Sequence, residues 1–321
     1  AWLDWHRPPP SFYFSGIIGL DEADPAIRQD IDAIIVREQP GFGFGALAAG
    51  ADILIAEALH KAGAELHVIL PYPVDRFREL SVAPYGDHWI SRFDVLIEVA
   101  VRLDVLTELP DEEERSLGVA VELADLVAMG QCVRNAGVLK SRPKALTITG
   151  IGDEPRRQHL VWADSGHDQF AISVVRKADH KSITAPSGVE SREIAAILWV
   201  EGLEQHALSQ LPEAVRAFRP AGDAQYRISN DIPELLSTSW SLMQHDTDSR
   251  ISLLIDIMEP QRPAASLLEK AGDMARASGG GAVLTDYQSA MILTLEPGKH
   301  VVEEIGELQT AHGPLHLWSL T

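Results

Sequence analysis

The stretch from Gly41 to Pro71 constrains this chain more than any other. It runs Gly41-Phe-Gly-Phe-Gly-Ala-Leu-Ala-Ala-Gly50, then Ala-Asp-Ile-Leu-Ile-Ala-Glu-Ala-Leu-His-Lys-Ala-Gly63, then Ala-Glu-Leu-His-Val-Ile-Leu-Pro71. The order reads as a glycine-rich loop, a helix and a buried strand. Gly41, Gly43, Gly45 and Gly50 let the backbone turn tightly and approach a ligand or a neighbouring element. The helix begins near Gly50, holds Ile53, Leu54 and Leu59 toward a core, and stops at Gly63. Backbone N–H groups converging on a helix N-terminus suit a phosphate. A tight turn with close helix–sheet packing explains the same glycines, so both readings stand at this point.

The elements around this stretch make it part of a larger α/β unit. Ser11 to Phe14 reads as a strand, with Ser15-Gly16 at its carboxyl end. Pro25 opens a helix whose apolar face is Ile27, Ile31, Ile34 and Ile35. Trp89 to Ala100 is helical, Val105 to Thr107 a short strand, and Leu117 to Ala136 a helix ended by Gly137. Ala145 to Ile148 and Gln169 to Val175 are strands. The alternation predicts a parallel sheet with helices on both faces.

Arg176 to Arg192 is polar and reads as a linker. Beyond it, strands are expected at Ile194–Val200, Tyr226–Ser229, Ile251–Ile257, Ala282–Thr285, Val301–Ile305 and Leu315–Leu320. Helices are expected at Leu211–Phe218, Pro233–Met243 and Ala264–Ala277. The expected fold class is therefore an α/β, Rossmann-like parallel-sheet domain followed by a smaller α+β, ferredoxin-like domain. The boundaries are 1–178, a linker at 179–191, and 192–321.

Totals narrow the function. The 321 residues suffice for two domains, and the net charge of −20 gives no overall positive field for nucleic acid. A lone Cys132 excludes an internal disulfide and suits a reducing, cytoplasmic compartment. No run spans a membrane and no signal peptide is visible. The first residue is not Met, as expected of a piece of a longer protein. Asp111 to Arg115 is a charge run that reads as a solvated helix start. The twelve His include no His-Glu-x-x-His motif, and Gly313-Pro314 bars His312 and His316 from sharing a regular helix.

The first half resembles the SLOG superfamily, the Rossmann-like group around DNA-processing and lysine-decarboxylase-like proteins. The resemblance rests on Phe14-Ser-Gly16, Ala48 to Glu57, Gly63 to Pro71, Phe77 to Val82 and Trp89 to Phe93, within residues 11 to 175. It is similar to the branch found beside helical repeats and cyclase-like domains in bacterial multidomain proteins. Where that branch has a His after Ser-Gly, this chain has Ile17. The Pro-Gly-Gly-x-Gly-Thr-x-x-Glu motif of the phosphoribohydrolase branch is absent. The resemblance implies a nucleotide-derived ligand at Ser15, Gly16, Gly43, Gly45, Ala46, Gly50, Asp52 and Glu57, with no cofactor. Asp52 and Glu57 also have structural readings, as a loop brace and a solvent-facing carboxylate. Asp153, Asp164 and Asp168 follow expected strands, within reach of a ribose.

The second half resembles a reduced class III nucleotide cyclase homology domain. Arg192 to Glu201 is similar to its first strand, with Glu201 where a metal-binding Asp normally stands. Gly222-Asp223 resembles the hairpin that carries the second one. Arg250 to Leu254, Gly281 to Thr285 and Gly313 to Leu320 resemble later core strands. Glu269 and Asp273 fall where the family has an Asn and an Arg, so Glu201 and Asp223 are expected to be remnants without metal or catalysis. Three functions are weighed. One is a regulatory module that binds an ADP-ribose-like or NAD-like ligand, its cyclase-like domain inactive and dimerising with itself or a partner domain. The others are a hydrolase of a nucleotide N-glycosidic bond and a self-assembling scaffold.

Overall fold

The computed structural model describes residues 8–20, 25–106, 117–154, 157–175, 192–203, 205–212, 216–296, 301–310 and 313–321. The linker at 179–191, the charge run at Asp111–Arg115, Thr107 and His312 lie outside the described residues. The chain divides into two compact units, Ala1–Pro186 and Ser187–Thr321.

The first unit runs β1 (Ser11–Gly16), α1 (Pro25–Glu38), β2 (Phe42–Gly45), α2 (Ala51–Lys61), β3 (Glu65–Leu70), α3 (Val74–Ser81), α4 (Asp87–Val99), β4 (Arg102–Val105), α5 (Leu117–Leu139), β5 (Pro143–Gly150), α6 (Arg157–Asp164) and β6 (Asp168–Val174). Its six strands lie in the order β4-β3-β2-β1-β5-β6, and every pairing is parallel. Residues of β1 alternate between the faces, as a strand of period two requires. Tyr13 donates to Asp125 of α5 on one face, while Phe12 stacks on Phe170 and Gly16 meets Ala51 of α2 on the other. A strand buried on both sides needs the near-continuous apolar run that β1 supplies.

Two expectations change here. Gly41 to Gly45 is not a loop: Phe42–Gly45 is an interior strand, registered on β1 and β3. Its alternation puts Phe44 against His67, ring centroids 4.6 Å apart, and turns the glycines toward α2 and Phe14. A Cβ on Gly43 would stand 2.7 Å from Leu59 Cδ1, and one on Gly45 would stand 2.5 Å from Phe14 O. Glycine is required at Gly45 because a neighbouring backbone oxygen lies against it, and at Gly43 a methyl would press on the end of the Leu59 side chain; neither glycine marks a turn. Gly137 does not end α5, which continues to Leu139 and stops where Lys140 takes a positive φ of 56°.

The second unit runs β7 (Glu193–Glu201), α7 (Gln205–Gln210), β8 (Arg219–Ala221), β9 (Ala224–Ser229), α8 (Ile232–His245), β10 (Arg250–Met258), α9 (Ala265–Ala277), β11 (Val283–Asp286), α10 (Tyr287–Leu293), β12 (Val302–Thr310) and β13 (Gly313–Leu320). The sheet order is β12-β13-β11-β10-β7-β9-β8, mixed in direction, with only β10 and β11 parallel. Helix α9 lies on one face, where Trp199, Leu254, Met258, Met274 and Leu284 share a core. Residues 213–215 of the helix expected at Leu211–Phe218 lie outside the described residues; the helix described in this region is Gln205–Gln210. Pro212 disfavours helical backbone at Leu211, so the helix stops before it. Helix α10 was not anticipated; Asp286 caps it by accepting from Ser289 N–H.

Candidate functional site

The carboxyl edge of the first sheet collects the exits of β1, β2 and β5. Strands β1 and β2 are parallel neighbours, so Ser15-Gly16 and Gly45-Ala46 leave the sheet on the same edge. There the two connections are joined to each other. Gly19 N–H donates to Ala49 O (2.9 Å), Ala51 N–H to Ile17 O (3.2 Å), and Ile17 N–H to Ile148 O of β5 (3.1 Å). Gly50, at φ 117°, makes the close approach: a Cβ there would lie 2.8 Å from Ile17 O and 2.9 Å from Leu20 N. A Cβ on Gly16 would stand 2.2 Å from Ala51 Cβ. The chain's own Ile17–Leu20 segment thus packs against the start of α2, and Gly16, Gly45 and Gly50 serve that packing.

The other expected residues fall into separate places. Asp52 is buried and accepts from Ala48 N–H at 3.2 Å, bracing the loop. Ser15 is buried beside Tyr13, and Ala46 is half-buried. Tyr13 donates to Asp125 at 3.1 Å; burial first, then the nearby Asp125 charge, push its hydroxyl well above the usual tyrosine range. Glu57 stands apart from the loops. Arg92 holds it with two hydrogen bonds of 2.6 Å, and it lines a groove of about 140 Å³ between α1 and α2 with Arg28, Asp32 and Lys61.

Strand order reverses between β1 and β5, because β1 is followed by β2 on one side and β5 by β6 on the other. In open parallel sheets the crevice at such a reversal is where ligands bind. The β5 exit supplies Gly150, Ile151, Gly152 and Asp153. Asp153 folds back and accepts from Gly150 N–H at 3.1 Å, whereas Ile151 is 66% exposed. Asp164 and Asp168 are not on this edge. Asp164 ends α6 and Asp168 begins β6, at the opposite, amino edge, where Lys144 lies 3.6 Å from Asp168. They follow no strand, so the ribose reading does not hold for them.

In the second unit, Glu201 ends β7 opposite Ala224, and Asp223 is the neighbouring, exposed residue of the β8–β9 turn. The two carboxylates therefore stand at one edge. Glu201 is engaged by cations of its own chain: Arg276 Nη1 at 3.1 Å and Arg250 Nη1 at 3.9 Å. Arg276 also binds Asp273 at 2.5 Å, so the Asp273 charge is neutralised within its own helix. A divalent ion shared by two carboxylates would have to displace a guanidinium that carries the same sign. These residues do not fit a metal pair, and among the described residues no group of three His, Cys, Asp or Glu is arranged to hold one. Arg250 and Arg276 were missed from sequence. The i,i+3 spacing of Asp273 and Arg276 on one helix was the available signal.

No protein-family model matches the chain, and no curated protein matches it. Among solved structures, it is similar to an adenylate/guanylate cyclase/hydrolase from Silicibacter pomeroyi at 14% identity and a TM-score of 0.33, covering 41% of this chain and 98% of that one. It is similar to the adenylyl cyclase CyaB from P. aeruginosa at 10% identity and a TM-score of 0.32, covering 41% and 95%. The guanylate cyclase domain of RhGC from Catenaria anguillulae, solved with GTP, is similar at 10% identity and a TM-score of 0.29, covering 40% and 96%. No helix among the described residues is long and apolar enough to cross a membrane.

Proposed function

We propose that this chain is a regulatory module whose first unit binds a phosphorylated nucleoside and whose second unit is a cyclase-type fold that makes no cyclic nucleotide. The observation that carries the binding reading is the strand-order reversal between β1 and β5, with Ser15-Gly16 on one side and Gly150–Asp153 on the other. The ligand-binding set proposed from sequence shifts accordingly toward the β5 exit. Gly45 and Gly50 frame the site without facing it. Glu57 lies outside it.

The lack of cyclase chemistry is supported by Glu201, which is neutralised by Arg276 and Arg250. Nucleotidyl transfer needs charge stabilisation at the transition state, supplied by metal and free donors. On this reading the second unit serves to pair with a copy of itself or a related domain. The N-glycosidic hydrolase reading needs a carboxylate free to meet an anomeric carbon, and Asp153 is turned back onto Gly150 N–H. The scaffold reading is favoured by one observation, the Ile17–Leu20 segment packed where a phosphate would meet α2.

Calorimetry with ADP-ribose, NAD and cyclic dinucleotides tests the binding reading. At least one should give heat, and Ile151→Asp should weaken it at least about tenfold, because an exposed carboxylate beside the crevice repels phosphate. No heat from any ligand on folded protein favours the scaffold. Incubation with ATP or GTP and Mn²⁺ tests the second unit: cyclic product abolished by Asp223→Ala overturns the inactive reading.

A further inference from the structure

Three charged side chains are gathered inside the second unit, away from Glu201. Asp256 of β10 and Asp286 of β11 lie toward the carboxyl ends of the parallel strand pair, on the face that α9 covers. Lys270 of α9 reaches Asp286 at 2.6 Å. Asp286 also caps α10 through Ser289 N–H at 2.8 Å. Asp256 accepts from its neighbour Ile257 N–H at 2.7 Å.

The first turn of α10 is fastened to β10 at Ile255, the residue before Asp256. Ile255 N–H donates to Ser289 Oγ at 2.7 Å, and Gln288 Nε2 donates to Ile255 O at 2.9 Å. The groups that face Asp256 are Lys270 from α9, Asp286 from β11 and the neutral Gln288 from α10, while β7 presents Ala195 opposite it. The cluster thus holds two acids and one ammonium. With Asp256 protonated it is neutral, and Lys270 serves Asp286 alone. With Asp256 ionised it carries one negative charge in excess among half-buried side chains, which is costly where contact with water is reduced.

The geometry points to Asp256, Lys270 and Asp286 forming a proton-operated latch that seats α9 and α10 on β10 and β11 when Asp256 is protonated and loosens them when it ionises. Burial raises the Asp256 carboxyl to about 6, with Lys270 opposing the shift, so the change falls within physiological pH. Asp286 stays ionised: burial raises its carboxyl, but Lys270 and the Ser289 donors outweigh that and hold it below the usual range. Helix α9 carries Lys270 at the latch and Arg276 at Glu201, so loosening it also weakens the hold on Glu201.

Hydrogen exchange of the full chain, read by mass spectrometry from pH 5 to 8 and corrected for the intrinsic rate, tests this. Protection of peptides from α9 and the start of α10, relative to β7, should fall by up to about tenfold as pH rises from 5 through the Asp256 transition and then level off. Asp256→Asn should abolish that fall, and Lys270→Met should move it to higher pH by removing the only cation. A parent profile that parallels Asp256→Asn, or a midpoint unmoved in Lys270→Met, overturns the latch.

Discussion

Replacing Gly16 by Ala puts the close packing of α2 on β1 to a direct test. The new methyl would stand 2.2 Å from Ala51 Cβ and 3.3 Å from Ile148 Cβ. Carbon atoms are at rest near 3.5–4.0 Å, so α2 must retreat by about 1.5 Å. Both carbons are fixed to backbone, and no rotamer change relieves the clash. Overpacking of this kind costs about 1–3 kcal/mol, and with no side chain able to yield, about 3 kcal/mol is expected. Ala51→Gly removes the opposing methyl at about 1 kcal/mol for added backbone freedom in a first helical turn. In the double variant the two losses should not add: a coupling of about 2 kcal/mol should be recovered. Urea unfolding followed by circular dichroism measures the cycle, and hydrogen exchange at α2 assigns the transition to the first unit. A Gly16→Ala cost below about 1 kcal/mol, or simple additivity, would refute the packing account of Gly16.

Gly118, inside α5 with nothing within 4 Å of its added Cβ, should behave oppositely: Gly118→Ala should stabilise by about 0.5–1 kcal/mol in the same urea assay. Lys144 holds Glu38 at 2.6 Å, both largely shielded, so Lys144→Met should cost about 2–3 kcal/mol at pH 7. Burial raises the Glu38 carboxyl, yet Lys144 and Arg37 bring it below its ordinary 4.5. The stability from that pair is present above pH 4.5 and lost as pH falls through the lowered value, so the two unfolding curves should converge in acid. Burial pushes the Cys132 thiol far up and its Sγ lies 3.2 Å from Ser11 O, so iodoacetamide should label it only after unfolding. Labelling at a native rate typical of a free thiol would contradict that burial.

Much of the fold was legible because it was written in spacing. Ile27, Ile31 and Ile35 are buried on α1, as are Ile53, Leu54 and Leu59 on α2 and Trp89, Phe93 and Leu96 on α4. The Phe42–Gly45 strand was not legible for a physical reason. Glycine signals turns through its freedom, and nothing local reveals that Leu59 and Phe14 will press against the glycine face. The Glu201 clamp was hidden differently. It joins Glu201 to Arg276 and Arg250, which meet only once β10 has paired with β7 and α9 has crossed both. The shared edge of Glu201 and Asp223 could be anticipated from strand order, but their electrostatic surroundings could not. Asp164 and Asp168 were misjudged because α6, between β5 and β6, was not seen, so residues at the amino edge looked like strand exits.

The central position of β1 bears on the order in which the first unit assembles. Ser11 pairs with Phe42 on one side and with Pro143 on the other. The second closure spans roughly four times more chain and adds about 1.2 kcal/mol of loop entropy before any contact offsets it. Strands β1 to β4 can therefore associate while α5 is still being synthesised, leaving the β5 side of β1 as an open apolar edge. During synthesis that edge adds to the finished sheet's own edges, β4 and β6, as a place where the first unit is exposed to mispairing and to chaperones.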